Sequence, residues 1–180
     1  MLPFVNMSSD QEQEYFSDGI SEEILNVLAK LPSLKVTSRS SAFFYKGKDI
    51  NISDVAKTLG VKNVLEGSVR KAGNRIRITA QLIEADTDTH LWSETYDREL
   101  TDIFKIQDEI AAAIVTALKG HLGLNIELAA RDMSKVNLDA HNEYLQGRFY
   151  TENRNQADLE KALAHFEKAI AIAPDYALAW

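Results

Sequence analysis

Four basic residues gathered around one hairpin, Arg70, Lys71, Arg75 and Arg77, form the densest group of side chains able to do chemistry. Arginine forks match the oxygens of phosphates and carboxylates, so the group could contact an anionic ligand, such as a nucleotide phosphate or a lipid headgroup, or a partner. The same charges can instead pair across strands with Glu94, Asp97 or Glu99. Exposed strand faces commonly carry such pairs, so pairing is the expected role and ligand contact the alternative. Trp92 and Tyr96 share a strand face, where core or rim packing is expected over a ligand-stacking platform. Ser8, Ser9 and Asp10 precede the first helix and offer amides to an anion in principle; they are expected to cap.

Catalytic patterns are missing from the rest. The 4 histidines, His90, His121, His141 and His165, never fall at metal-ligand spacing on a helix. Asp86, Asp88 and His90 suggest a calcium loop, but Leu91 stands where the turn needs glycine, so a solvated turn is expected. There is no cysteine, no nucleophile elbow, no dinucleotide fingerprint and no P-loop. Adjacent carboxylates such as Glu22 and Glu23 diverge on a helix surface and read as solvated charges. The expectation is no catalytic residue, no metal and no cofactor.

These residues must be held by a recognisable set of elements. At 180 residues with 45% hydrophobic content, the chain can build a packed core, and its net charge of -7 disfavours nucleic-acid binding. The longest nearly apolar run, Ile110 to Leu118, is half of the roughly 18 residues a membrane span needs, and the amino terminus lacks signal-peptide character. Leu2 to Met7 reads as a buried strand. Apolar residues from Tyr15 to Leu31 recur at three and four, marking a helix from Asp10 that Pro32 ends. Leu34 to Ser38 alternates like a strand. Ser53 opens a helix that Gly60 closes.

Three strands in a meander follow: Val61 to Arg70, Arg75 to Glu84, and His90 to Tyr96. In the middle one Ile76, Ile78, Ala80 and Leu82 alternate with Arg75, Arg77, Thr79 and Gln81, so one face is apolar and one wet. Thr101 caps a long helix carrying Ile103, Phe104, Ile110, Ile114, Leu118 and Leu122, with Gly120 and Gly123 at its end. The order predicts an α/β (α+β) domain with a mixed sheet and helices packed on it over residues 1–124. Residues 125–137 read as a linker or bridging helix. An all-α hairpin then occupies 138–180, with helices at 140–150 and 157–172.

Two families resemble these segments. The stretches LPFVNMSSDQEQEYFSDGISEEI, LGVKNVLEGSVRKAGNRIRITAQLIEADTDTHLWSETYDREL and DIFKIQDEIAAAIV make residues 1–124 similar to the TolB amino-terminal-type domain of multidomain bacterial signalling proteins. That domain sits downstream of class III adenylate cyclase modules, winged-helix regulators, kinases or membrane segments, and upstream of tetratricopeptide repeats. The strands VLEGSV and HLWSETYD are also similar, more distantly, to periplasmic accessory domains that contact envelope components. The hairpin resembles a tetratricopeptide repeat: Ala162, Phe166, Ala169 and Pro174 keep the second helix's spacing, and Gly147 and Tyr150 suit the first. Gln146 replaces the usual leucine, about three extra residues separate the helices, and Trp180 falls where the next repeat's aromatic belongs. One repeat and a stub fall short of the roughly three needed for a continuous core, so a carboxyl-terminal truncation is expected.

The resemblances imply a non-catalytic sensory or protein-interaction module whose repeats bind a protein or peptide partner, with no nucleic acid bound by this stretch. The alternatives are the regulatory carboxyl-terminal part of a class III adenylate cyclase, with catalysis upstream, or of a winged-helix transcriptional regulator. A membrane-tethered protein facing the periplasm is slightly favoured over the cytoplasm.

Overall fold

Period-two alternation dictates the centre of the molecule. In the computed structural model, which describes residues 1–9, 13–31, 34–122, 137–152 and 155–179, the elements run β1 (Val5–Asn6), α1 (Glu14–Ala29), α2 (Arg39–Phe43), α3 (Ile52–Leu59), β2 (Asn63–Ala72), β3 (Arg75–Glu84), β4 (Thr89–Glu99), α4 (Ile103–Leu122), α5 (Leu138–Thr151) and α6 (Gln156–Ile172). The strands form one mixed sheet in the order β1-β2-β3-β4, with β1 parallel to β2 and the other pairs antiparallel. Ile76, Ile78, Ala80 and Leu82 are all buried on one face of β3. The register sets Leu65, Gly67 and Val69 of β2, and Trp92 and Tyr96 of β4, on that same face.

Two helices cover this face because each has a matching stripe. From α4 come Ile103, Ile106, Ile110, Ile114 and Leu118, and from α1 Phe16, Ile20, Ile24, Val27 and Leu28, all in one core with the sheet. The second face is not wholly wet. At one end α3 seats Val55 and Ala56 on Val64, Ala85 and Leu2, a smaller separate core. Backbone bonds from the Leu2 amide to the Leu65 carbonyl (2.7 Å) and from Met7 to Val69 (2.8 Å) continue the pairing on both sides of β1.

Several local expectations change. Leu34 to Ser38 pairs with no strand among the described residues; Leu34 and Val36 pack half-buried along the rim of the core, which is why they alternate. Ser38 then caps α2, a short helix the sequence did not announce, by accepting the Ser41 amide. Asn51 rather than Ser53 caps α3, because its Oδ1 reaches the Ser53 and Asp54 amides at 2.9 and 3.3 Å, while the Ser53 hydroxyl donates to the Ala85 carbonyl. Gly60 closes α3 in the left-handed conformation, φ 66°, as its type allows. Thr101 lies inside a 3-10 turn, Leu100–Asp102, so α4 begins at Ile103. The readings on Asp10, Pro32, Gly123, Trp180 and most of the 125–137 segment lie outside the described residues.

α5 and α6 pack side by side, and α5 also has a seat on α1. Gly147 permits the first contact: a Cβ there would meet the Phe166 ring at 2.5 Å. In the second, Leu145 lies directly over Gly19, and Tyr15 donates a hydrogen bond to Asn142 at 2.9 Å. Ala140, Tyr144, Leu145, Ala169, Ala173, Tyr176 and Ala179 consequently belong to the same core as the sheet. Buried His141 bridges further, with its Nδ1 2.8 Å from the Tyr176 hydroxyl and its ring 4.6 Å from that of Phe104.

The closest approach in the sheet is at Gly67, where a Cβ would lie 2.1 Å from the Thr79 carbonyl oxygen and 3.1 Å from the Phe4 ring. Backbone cannot swing aside as a side chain can. Gly67→Ala is therefore expected to destabilise the fold by about 1–3 kcal/mol, as overpacking does. Chemical denaturation checks this, and an unchanged midpoint would contradict the close approach.

Candidate functional site

The pleat divides the four basic residues instead of gathering them. Lys71 lies on the helix-covered face, its ammonium 5.0 Å from the centre of the Phe16 ring and its amide bonded to the Ser8 hydroxyl at 2.9 Å. Ser8 is thus tied to the sheet end and not presented at a helix terminus. Arg70 is on the other face and donates from Nε to the Met7 carbonyl at 3.1 Å. Arg75 and Arg77 share that face, and both grip Asp97 of the neighbouring strand, Arg75 at 2.8 Å and Arg77 through Nε and Nη2. Hydrogen bonds from Arg75 and then Arg77 hold the Asp97 carboxyl well below its usual range, at about 2. Glu94 faces the opposite way and accepts the Tyr96 hydroxyl at 3.0 Å; burial first, and then this bond, push the Tyr96 phenol upward.

The residues matching a repeat do come together. Ala162 and Ala169 are buried, Phe166 lies over Gly147, and the Tyr150 ring stacks on His165, with centroids 5.5 Å apart. His165 also meets Glu143 at 2.7 Å. Pro174 follows the end of α6.

The most connected polar site joins α1, α2 and α5. Glu14, Asp18 and Glu22 recur every four residues and form an acidic stripe along α1. Glu22 is not the solvated charge its sequence context suggested: its side chain is 15% exposed and holds two arginines, Arg39 of α2 at 3.0 Å and Arg148 of α5. Arg39 reaches on to Glu152 at 3.0 Å, and Arg148 to the Tyr144 hydroxyl at 3.1 Å. Lys46, just beyond α2, bridges Asp18 at 2.6 Å and Glu14 at 2.8 Å. Burial raises the Asp18 pKa, with Lys46 acting against it.

No sequence spacing could reveal this clasp. The arginines lie 17 and 126 residues from Glu22, so only the fold brings them together. The four-residue acidic repeat was the one available signal. Each charge in the clasp is paired with an opposite one, so the arrangement ties α1 to α2 and α5. Among the described residues, no group of three histidines and carboxylates could hold a metal ion, and no helix is long and apolar enough to cross a membrane.

Two outcomes follow from this geometry. Glu22→Gln removes the carboxylate both arginines share and is expected to destabilise the protein by about 1–3 kcal/mol. Hydrogen exchange should then show faster opening in 138–151 while 76–82 stays protected; equal loss in both would show that the clasp does not govern the α5 seat. Asp97 gives a second outcome. Its depressed pKa means that its ion pairs stabilise above the unfolded carboxylate value and are lost as pH falls through about 2. Replacing Arg75 and Arg77 with Gln should return the Asp97 titration, followed by NMR, to about 3.9 with the fold retained.

No family model matches the chain. It is 44% identical over 179 residues to the protein named "Putative adenylate cyclase 3" of Rhizobium meliloti (strain 1021), covering 99% of this chain and 30% of that one. The chain therefore spans under a third of this relative's length. Among solved structures it is similar to lipoprotein GNA1162 of Neisseria meningitidis, at 16% identity and a TM-score of 0.47, covering 67% of this chain and 95% of that one. It is also similar to the LpoB C-terminal domain of Salmonella enterica, at 18% identity and a TM-score of 0.43, over 53% and 77% of the two chains. TolB of Acinetobacter baumannii aligns at 14% identity and a TM-score of 0.43, over 67% of this chain and 29% of TolB.

Proposed function

We propose that this chain is a non-catalytic accessory module of a larger adenylate-cyclase-type protein, in which the α/β part carries a helical pair that holds a protein partner. The observation that carries this reading is the division of α6 into two faces. Ala162 and Ala169 are buried, with Phe166 turned toward α5, while Leu159 and Leu163, one turn apart, remain 45% and 59% exposed. Leucines left at such a spacing suit an amphipathic partner helix or peptide. The placement of Gly147, Tyr150, Ala162, Phe166, Ala169 and Pro174 supports treating the pair as one tetratricopeptide unit.

The cyclase context rests on the relative from Rhizobium meliloti, which is similar along nearly all of this chain. In this reading the activity in that relative's name belongs to the larger part of such a protein, outside the aligned residues. In this chain the charged side chains at the clasp, and Arg75, Arg77 and Asp97 on the sheet, are engaged in ion pairs.

Incubated with ATP or GTP and magnesium or manganese, residues 1–180 are expected to form no cyclic nucleotide. A product abolished by a substitution within these residues would overturn the non-catalytic assignment. For partner binding, a photo-crosslinking residue at position 163, introduced in cells that make the protein, is expected to give a discrete protein adduct. Its persistence after Leu159→Asp would show that the exposed leucine pair does not hold the partner.

A further inference from the structure

The outer edge of β4 is complementary to itself. β4 is terminal in the sheet, and no strand among the described residues pairs with its far side. The two-residue turn Gly73-Asn74 joins the register partners Ala72 and Arg75, and the closing pair of such a hairpin exchanges both backbone bonds. Alternation then sends the odd-numbered backbone groups of β2 toward β1 and the even-numbered groups of β4 toward β3. Three bonds agree: Leu2 to the Leu65 carbonyl, Met7 to the Val69 carbonyl, and Leu100 to the Asn74 carbonyl. Ser93, Thr95, Asp97 and Glu99 are thereby left with their N–H and C=O groups directed outward.

Strand edges that resist pairing are guarded by charged side chains, lysine above all, or by proline, a bulge or a covering element. Residues 92–99 contain neither lysine nor proline, and the only register shift between β3 and β4 lies at Leu82/Ile83, before this stretch. Its charges are arranged for a different end. Glu94 and Arg98 are both exposed and stand two residues to either side of Tyr96, on one face of the strand.

We propose that this edge binds a second copy of the chain, antiparallel and centred on Tyr96, so that two four-stranded sheets join across a two-fold axis. In that register Glu94 of each copy faces Arg98 of the other. These are non-hydrogen-bonded positions, where cross-strand side chains lie nearest. Asp97 meets Thr95 and Ser93 meets Glu99, so no like charges are opposed. Centring the pair on Glu94, Asp97 or Arg98 would set a charge against its own copy, and centring it on Thr95 would leave Glu94 and Arg98 facing uncharged aromatic residues. The inference stands apart from partner binding at α6.

Sedimentation of the full chain across a dilution series, from near-millimolar to micromolar, tests it. A dimer that dissociates on dilution is expected. Glu94→Arg or Arg98→Glu alone should weaken it by about tenfold or more, because each places two like-charged contacts across the axis. The double variant Glu94→Arg/Arg98→Glu should recover most of the wild-type affinity, with circular dichroism confirming that each variant is folded. A monomer at every concentration overturns the proposal and leaves the edge to a different chain. A dimer indifferent to both reversals, or one that the double variant fails to restore, overturns the Tyr96-centred pairing.

Discussion

The enclosure of α1 is the constraint on which the remaining structure depends. Ten of its 16 residues are buried, including the unbroken run from Phe16 to Ser21. A helix with one apolar stripe is normally enclosed on one side only. Here the sheet and α4 take the apolar stripe, β1 takes a serine, and α2 and α5 take the acidic stripe. Ser21 shows how a polar residue is accommodated: its hydroxyl accepts the Phe4 amide at 2.8 Å and donates to the Ser17 carbonyl at 2.7 Å. That fixes β1 against the helix and leads Phe4 under Gly67, so the first strand, the helix and the centre of the sheet are set together.

The legible features were those whose cause is local. Alternation in 75–84 needs only the residues themselves to mark two faces, and it located the strand and its buried side. Gly60 closed its helix for an equally local reason. Failures came where a distant neighbour decided. Leu34 and Val36 alternate because they lie along the rim of a core, and nothing in five residues separates that from a paired strand. Asn51 displaced Ser53 as a cap because the Ser53 hydroxyl was drawn to Ala85, 32 residues away. Glu22 appeared solvated for the same reason: its burial is caused by α2 and α5. The hairpin arginines were half legible, since cross-strand pairing to Asp97 follows from register, while the pleat that removes Lys71 from the group depends on where the turn falls.

The two faces of the sheet carry different kinds of polar interaction. On the covered face the Tyr96 hydroxyl has one partner, Glu94, and its ring is buried below α4, so its geometry is fixed by packing. On the open face Arg75, Arg77 and Asp97 form a three-member group exposed to water, and Thr79 meets Thr95 at 3.2 Å. Exposed pairs of this kind contribute little to stability because solvent competes for each member. Their stronger effect is on register. A one-residue slip between β3 and β4 would move Asp97 to the opposite face from both arginines and place apolar residues in water.

The clasp makes the seat of α5 on α1 and the state of the helical pair parts of one equilibrium. Glu22 holds an arginine from each of two elements, so neither arginine can leave without exposing a carboxylate that is otherwise largely enclosed. A fastened and an open seat would therefore differ by at least two ion pairs, Arg148 with Glu22 and Arg39 with Glu152. A partner of α6 that binds more tightly when α5 is seated must stabilise the seat by the same free energy by which the seat improves its binding, because the linkage is reciprocal. A partner with no such preference leaves the α/β part unaffected however tightly it binds. Communication between the helical pair and the sheet is thus limited to the difference in affinity between the fastened and open states. The route with the fewest intermediaries passes from α6 through Phe166 and Gly147 to α5, and from Arg148 through Glu22 to α1.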